Sequence, residues 1–253
     1  MSGTRLEGRR VLILGGSVGI GKATGVAIAA EGGRVALAAR RPEVLAQAVA
    51  EIRGGGGSAT GIECDVTDAD DCERVVHSAA EALDGLDAVI YAPGVTLFGR
   101  IAELDATAWR HSFDVNVVGA TLVTRAAVSH LSATRGKVVY FSSIAIDDRP
   151  PRYGMAPYVA SKVALESLAQ SWQSEYPDLG FTTIAIGDTQ SGKADVVSED
   201  VLRDFVPRWV AAGLMPGRLM PAENVAAQVV NVLATPETVR RLAVVPTTPR
   251  EIP

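Results

Sequence analysis

The sequence predicts a doubly wound α/β fold, in which helices cover both faces of a parallel sheet of about seven strands. Short runs that are wholly apolar and rich in β-branched residues recur along the chain. They lack the alternation of apolar and polar residues that is typical of strands with one solvent-exposed face. Segments with helical periodicity separate these runs. The chain has 253 residues, 47% of them hydrophobic, which suits one large core, so we predict a single domain over residues 1–253.

The first part of the chain has the order βαβαβα. Its predicted strands are Arg10–Leu14, Arg34–Ala39 and Ala59–Cys64. The helix Gly19–Glu31 ends at a glycine pair, and the helix Pro42–Arg53 begins with a proline whose fixed φ suits a first turn. A run of glycines ends that second helix, and a third helix is predicted over Asp68–Leu83.

The second part of the chain continues the alternation. Its predicted strands are Leu86–Ala92, Gly136–Ser142, Phe181–Ile186 and Leu242–Val245, and its predicted helices are Ala106–Leu131, Pro157–Tyr176 and Ala222–Leu233. Residues 189–220 are too many for a simple connection, and we predict that they form a substrate lid inserted in the domain.

The predicted lid is amphipathic. Phe205 and Trp209 lie one helical turn apart, and the segment from Val196 to Met220 also carries Leu202, Val206, Val210, Leu214 and Met215. This pattern favours a small to medium, partly apolar substrate, although the same residues could pack on the core or on a neighbouring subunit. The charged loop 147–152 either selects a polar substituent or faces solvent.

Composition argues against several classes of partner. The net charge is −5 and no basic run is longer than Arg40-Arg41, which argues against nucleic acid and anionic membranes and favours a small-molecule partner. The two cysteines (Cys64 and Cys72) and three histidines (His77, His111 and His130) lack metal-ligand spacing, so no metal is predicted. The polar first ten residues resemble neither a secretion signal nor a membrane anchor, so we expect a cytoplasmic protein.

A glycine-rich turn follows the first strand and opens the first helix. Its candidate cofactor-binding residues are Gly15, Ser17, Gly19, Ile20 and Gly21, because glycines allow a diphosphate to approach the backbone at a helix N-terminus. The same residues also fit the Gly-x-Ser-x-Gly elbow of an α/β-hydrolase. The hydrolase interpretation is weaker, since the turn follows the first strand and no histidine comes after His130.

Arg40 and Arg41 follow the second predicted strand, and no acidic residue stands there. An acid at this point binds the free ribose hydroxyls of NAD(H), whereas an arginine accommodates the 2′-phosphate of NADP(H). The sequence therefore favours NADP(H) over NAD(H), with solvated surface arginines as the alternative.

Tyr158 and Lys162 lie one turn apart on a predicted helix, and Ser143 directly follows a predicted strand upstream. A phenol titrates near pH ~10, so it becomes an effective acid or base at neutral pH only where its surroundings favour ionisation. Because residues four apart share a helix face, Lys162 can supply a favouring charge. The trio is typical of proton transfer to or from a carbonyl oxygen.

With these pieces in order, the chain resembles the short-chain dehydrogenase/reductase family over nearly its whole length, as a divergent member with the Rossmann fold. The resemblance implies that Tyr158 exchanges a proton with the substrate oxygen, that Ser143 hydrogen-bonds this oxygen, and that Lys162 holds the nicotinamide ribose. It further implies a water-linked proton path at Asn116 and contacts to adenine from Asp65 and Val66. The activity implied is interconversion of a carbonyl and a secondary alcohol in a homodimer or homotetramer.

The chain departs from the family pattern in several places. Leu14 stands where the family usually has Thr, and Tyr91-Ala92-Pro93-Gly94 replaces Asn-Asn-Ala-Gly, so that Gly94 alone is retained as a cofactor contact. In the family, this Thr and an Asn of the altered stretch tie the two central strands together by a polar contact. We expect apolar packing of Leu14 to replace that contact. After the sixth strand, Gly187 is retained and Thr189 follows at the expected carboxamide contact. The altered motifs leave a catalytically silent NADP(H)-binding regulator as the alternative function, with the hydrolase third.

Overall fold

The seven-stranded parallel sheet is present in a computed structural model that describes residues 4–190, 199–215 and 217–247. The strands are β1 (Arg10–Leu14), β2 (Arg34–Ala39), β3 (Ser58–Glu63), β4 (Ala88–Tyr91), β5 (Lys137–Ser143), β6 (Gly180–Ile186) and β7 (Arg241–Val244). Their order in the sheet is β3-β2-β1-β4-β5-β6-β7, with every neighbouring pair parallel. The predicted fold class is confirmed, and only the strand ends shift by one or two residues.

Helices cover both faces of the sheet. They are α1 (Gly19–Ala30), α2 (Pro42–Gly54), α3 (Ala69–Leu83), α4 (Ala106–Phe113), α5 (Gly119–Ser132), α6 (Ala156–Glu175), α7 (Glu199–Asp204), α8 (Val206–Ala211) and α9 (Ala222–Ala234). One hydrophobic cluster joins the sheet to α3, α5 and α6, and another joins it to α1, α2 and α9. Apolar strands buried from both sides explain the runs without alternation.

The direction of the strand order reverses at the centre of the sheet. From β1 the chain first adds β2 and β3 on one side and then returns to add β4 on the other. Leu14, the last residue of β1, is fully buried and pairs with Ala38 of β2 and Tyr91 of β4. Sheets of this kind bind ligands in the crevice at such a reversal, beyond the carboxyl ends of the strands. A ligand site is therefore expected among the loops after β1, β4, β5 and β6.

The long helix predicted over Ala106–Leu131 is divided by a π-helical turn, Asp114–Val118. The buried Tyr91 hydroxyl donates to the Val115 carbonyl within this turn. A Cβ atom on Gly119 would lie 2.5 Å from both the Tyr91 hydroxyl oxygen and the Val66 carbonyl oxygen. The turn is thus held against β4 by a contact that only glycine permits.

Short helices α7 and α8 lie within the predicted lid segment. Val196, the rest of 191–198, residue 216 and the Leu202 side chain lie outside the described part of the chain. Among the described residues, none of the helices combines the length and the apolar character needed to cross a bilayer.

Candidate active site

The glycine-rich turn joins β1 to α1 in a conformation that needs its glycines. Gly15 and Gly19 have φ angles of +69° and +54°, in the left-handed region that favours glycine. A Cβ atom on Gly21 would overlap the Gly15 carbonyl oxygen. Val18 precedes α1 in an extended conformation and gives no side-chain cap, so the N–H groups of the first turn are left for another acceptor. The turn therefore fits a bound diphosphate.

The other turn residues support this geometry. Ser17 is buried, and Ile20 packs with Ala23 and Ala226 between α1 and α9. Among the described residues, no histidine is hydrogen-bonded to Ser17, and His130 is instead within 3.4 Å of His77. This arrangement weighs against a hydrolase nucleophile at Ser17.

Arg40 and Arg41 follow β2 and are both exposed. Arg41 occupies the position before α2, whose first turn contains Glu43. Within the described residues neither guanidinium has an ion-pair partner. Both arginines are therefore open to an anion beside the end of β2.

Asp65 and Val66 follow β3. One carboxylate oxygen of Asp65 accepts hydrogen bonds from the Thr67 backbone N–H (2.9 Å) and hydroxyl (2.8 Å), and the Asp65 N–H donates to Asp71. Val66 is buried, and its carbonyl accepts from the Cys72 thiol at 3.4 Å. The loop is thereby fixed with one Asp65 oxygen outside this network.

Asn116 is fully buried in the π-helical turn. Its amide nitrogen donates to the Val95 carbonyl (3.1 Å) and the Ser161 hydroxyl (2.8 Å), while its oxygen accepts from the Val95 N–H (2.9 Å). The side chain thus ties the loop after β4, which contains Gly94, to helix α6. The spacing in the sequence did not point to Ser161 as the third member of this network.

Ser143 and Tyr158 meet at the carboxyl end of β5. Burial raises the pKa of Tyr158 above the ordinary value of a phenol, whereas the neighbouring Ser143 hydroxyl lowers it. The Ser143 oxygen also accepts from the Ala145 N–H at 3.2 Å. The buried hydroxyl of Ser142 has no hydrogen-bond partner among the described residues. Of the two adjacent serines, Ser143 is therefore the one joined to the phenol.

Lys162 lies under Tyr158 on the same face of α6. Its side chain is buried, and its Nζ donates to the Phe141 carbonyl at 2.7 Å. The same nitrogen is 5.7 Å from the centroid of the Tyr158 ring. The predicted spacing of four residues thus places an ammonium against the face of the phenol.

Gly187 and Thr189 shape the loop after β6. The Gly187 N–H donates to the Val244 carbonyl at 2.8 Å, and its carbonyl accepts from the Thr189 hydroxyl at 2.8 Å. A Cβ atom on Gly187 would come within 2.9 Å of Pro246. The loop therefore turns closely around the end of β7, on the same edge of the sheet as Ser143.

Comparisons with known proteins agree with this arrangement. Residues 9–200 match the family model described as short chain dehydrogenase. The chain belongs to the short-chain dehydrogenase/reductase family. It is accordingly an oxidoreductase of the class that acts on CH–OH groups.

Two curated members and one solved structure illustrate the likeness. The chain is 32% identical to 2-(S)-hydroxypropyl-CoM dehydrogenase 3 of Xanthobacter autotrophicus, over 72% of this chain and 71% of that protein. It is also 32% identical to 2,5-dichloro-2,5-cyclohexadiene-1,4-diol dehydrogenase LinX of Sphingobium indicum, over 79% and 80%. A short chain dehydrogenase from Burkholderia cenocepacia, solved in complex with NADP, superposes with a TM-score of 0.83 at 27% identity, covering 95% and 97% of the two chains.

In this member of the short-chain dehydrogenase/reductase family, Arg152 is a site residue that the sequence analysis missed. The charged loop after Ser143 was expected to face solvent or select a substituent, but the Arg152 side chain is only 7% exposed. It donates to Asp148 (2.8 Å), Asp188 (2.8 Å) and the Leu214 carbonyl (3.0 Å). Its positive charge lowers the pKa of Tyr158 and that of Asp188 raises it, both more weakly than burial does. Because Asp188 and Leu214 are 36 and 62 residues away in sequence, no local motif indicates that Arg152 is buried between them.

Residues of the predicted lid segment contribute to an aromatic cluster beside Tyr158. Trp209 is buried with Met155, and its indole N–H donates to the Tyr153 carbonyl at 2.8 Å. Phe98 lies 6.0 Å from Trp209 between ring centroids, and Phe205 lies 5.3 Å from Tyr153. Tyr158, Val206, Leu214 and Met215 pack against this cluster. Val210 is 58% exposed and does not belong to the packed face of the predicted lid.

Proposed function

We propose that the chain interconverts a carbonyl and a secondary alcohol by NADP(H)-dependent hydride transfer, with Tyr158 as the acid or base. The observation that carries this proposal is the position of Tyr158 beside Ser143 at the carboxyl end of β5, with the Lys162 Nζ 5.7 Å from the centroid of its ring. The apolar cluster around Trp209 supports a small to medium, partly apolar substrate. The two dehydrogenases named above support a small-molecule alcohol or ketone.

The described residues fit a nicotinamide dinucleotide. A turn in which a Cβ atom at Gly21 would meet the Gly15 oxygen, followed by a helix without a side-chain cap, is suited to hold the diphosphate. When bound, the nicotinamide supplies or accepts the hydride. The residues that would hold the cofactor are Gly15, Ser17, Gly19, Ile20, Gly21, Arg40, Arg41, Asp65, Val66, Gly94, Asn116, Tyr158, Lys162, Gly187 and Thr189.

Two hydroxyl groups, those of Ser143 and Tyr158, act on the substrate oxygen. As negative charge develops there during reduction, Ser143 donates a hydrogen bond and Tyr158 transfers its proton. Because burial raises the pKa of Tyr158, the phenol is protonated at neutral pH, which is the form that reduction requires. The Lys162 ammonium against the ring face stabilises the phenolate that remains.

The first experiment separates three functions. Cofactor binding is measured by NADPH fluorescence, and turnover is measured on a panel of carbonyls and alcohols with Tyr158→Phe as the control. We expect turnover that Tyr158→Phe abolishes. Binding without turnover across the panel would indicate a silent regulator, and ester cleavage that requires Ser17, without cofactor binding, would indicate a hydrolase.

The preference for NADP(H) has its own test. Arg40 and Arg41 are exposed at the end of β2, where they can bind a 2′-phosphate. Since a hydrogen bond to a charged group contributes about 1.5–3 kcal/mol, replacing both arginines with Ala should weaken NADPH binding at least about tenfold. NADH binding should change little, and Arg125→Ala, an exposed arginine on α5, serves as the control. Equal loss for both cofactors would contradict the preference.

We also propose a cytoplasmic homodimer or homotetramer. Val118, two residues from Asn116, and Val163, next to Lys162, are 44% and 51% exposed on the helices expected to pair between subunits. The two free cysteines support a reducing compartment. Light scattering on wild type and Val163→Glu tests the assembly, because a charge at a buried interface should dissociate it. An unchanged mass would contradict this use of α6.

A further inference from the structure

Arg152 forms a buried ionic centre at the edge of the proposed active site. Its side chain is 7% exposed, and those of its two acidic partners, Asp148 and Asp188, are 11% and 17% exposed. A buried cation is retained only when its hydrogen-bonding groups are matched, and here all three guanidinium nitrogens donate. The centre is therefore a built feature of the site rather than a surface ion pair.

The three contacts of Arg152 come from three separate parts of the chain. Asp148 lies in the loop after Ser143, and Asp188 lies in the loop after β6. Leu214 follows α8 in the lid segment. The guanidinium is also 5.9 Å from the centroid of the Trp209 ring. One side chain thus connects the serine loop, the loop that contains Gly187, and the lid.

We propose that Arg152 is a positioning residue, which holds these three segments together around Tyr158 and sets the electrostatic environment of its phenol. The proposal rests on the proposed function, because it assigns Arg152 a role only through Tyr158. Arg152 does not need to touch substrate for this role, since each of its nitrogens already binds protein.

Polar and charged groups from four parts of the fold face Tyr158. Ser143 comes from the end of β5, Lys162 from α6, Arg152 from the loop before α6, and Asp188 from the loop after β6. The lid contributes uncharged rings, chiefly Phe205 and Trp209. The positive charge of Arg152 lowers the Tyr158 pKa, and the negative charge of Asp188 raises it. Removing the charge of Arg152 should therefore raise the Tyr158 pKa, and removing the charge of Asp188 should lower it.

The test measures ionisation of Tyr158 without substrate or cofactor. Each variant is compared with its own Tyr158→Phe version, so the difference in phenolate absorbance isolates this tyrosine. We expect Arg152→Met to move the midpoint to higher pH, Asp188→Asn to move it to lower pH, and Arg152→Lys to return it towards wild type. Arg208→Met is the matched control, because Arg208 stacks 4.7 Å from Tyr153 but does not join the three segments.

Several results would overturn the proposal. An unchanged midpoint in folded Arg152→Met would do so, and so would shifts of the same sign for Arg152→Met and Asp188→Asn. If Arg152→Met does not fold, as judged by circular dichroism, Asp188→Asn still decides, since Arg152 keeps Asp148 as a partner. Loss of turnover in Tyr158→Phe tests the proposed function separately, so the failure of one proposal can be told from the failure of the other.

The role in holding the lid has a second readout. Trypsin can cleave after Arg208 in α8, and the products can be mapped by mass spectrometry. If Arg152 holds the lid, Arg152→Met should accelerate this cleavage relative to sites on α2 and α3. Equal rates in wild type and variant would show that the Leu214 contact does not fix the segment, and would overturn this part of the proposal.

Discussion

Replacing Leu14 with Thr should destabilise the protein, although Thr is the residue that the resembled family usually has at this position. Leu14 is fully buried in the central strand and belongs to the same apolar cluster as Tyr91. Thr has one non-hydrogen side-chain atom fewer than Leu, and the packing lost with it costs about 0.8 kcal/mol plus a small cavity term. A buried hydroxyl without a partner adds about 1–3 kcal/mol.

The free energy of unfolding should therefore fall by about 2–4 kcal/mol. For a protein of about this size, the melting temperature should drop by roughly 4–16 °C in thermal unfolding. Leu14→Val is the matched control, because Val has nearly the shape of Thr without its hydroxyl. The difference between Thr and Val measures the burial of the hydroxyl alone. A Thr variant as stable as the Val variant, or a melting temperature above wild type, would refute the reasoning.

Three further pairs of variants test other contacts. Gly119→Ala should cost about 1–3 kcal/mol in chemical unfolding, because its Cβ would press on Tyr91 and Val66, whereas Gly54→Ala in α2 meets open space and should be neutral or stabilising. Gly21→Ala should abolish NADPH binding by fluorescence while Gly54→Ala retains it; equal binding would show that the turn does not hold the diphosphate. Ser143→Ala should lower kcat/KM by about 100-fold or more, whereas Ser142→Ala, which removes a hydroxyl without a described partner, should keep activity. Equal losses for the two serines would contradict the assignment.

The sheet could be predicted because its strands are buried on both faces. A run such as Val11 to Leu14 is apolar throughout, and few other structures accommodate it in a chain that alternates with helices. The π-helical turn could not be predicted from periodicity, since it shifts the helix by a single residue within an otherwise regular pattern. Its contacts are tertiary, from the Tyr91 hydroxyl to Val115 and from Gly119 to β4.

In the candidate site, too, the local relations could be predicted from the sequence and the long-range contacts could not. Tyr158 and Lys162 were predictable because four residues on a helix fix their relation, whatever surrounds them. Arg152 was not, because its role depends on Asp188, which lies 36 residues away in sequence. Arginine and aspartate are common surface residues, and only the fold shows that these two are buried together.

The departure at Tyr91 has a structural meaning that its sequence position does not convey. In the resembled family an Asn of this stretch ties the two central strands together, whereas here the Tyr91 hydroxyl donates to the Val115 carbonyl in the π-helical turn. That turn carries Asn116, which binds both Val95 and Ser161. The phenol therefore supports the segment that joins the loop after β4 to the helix of Tyr158 and Lys162. Tyr91→Phe should loosen this segment without leaving a cavity, so we expect hydrogen exchange to rise around Asn116 while β1 and β4 stay protected. Faster exchange in the strands instead would mean that Tyr91 serves the sheet and not the site.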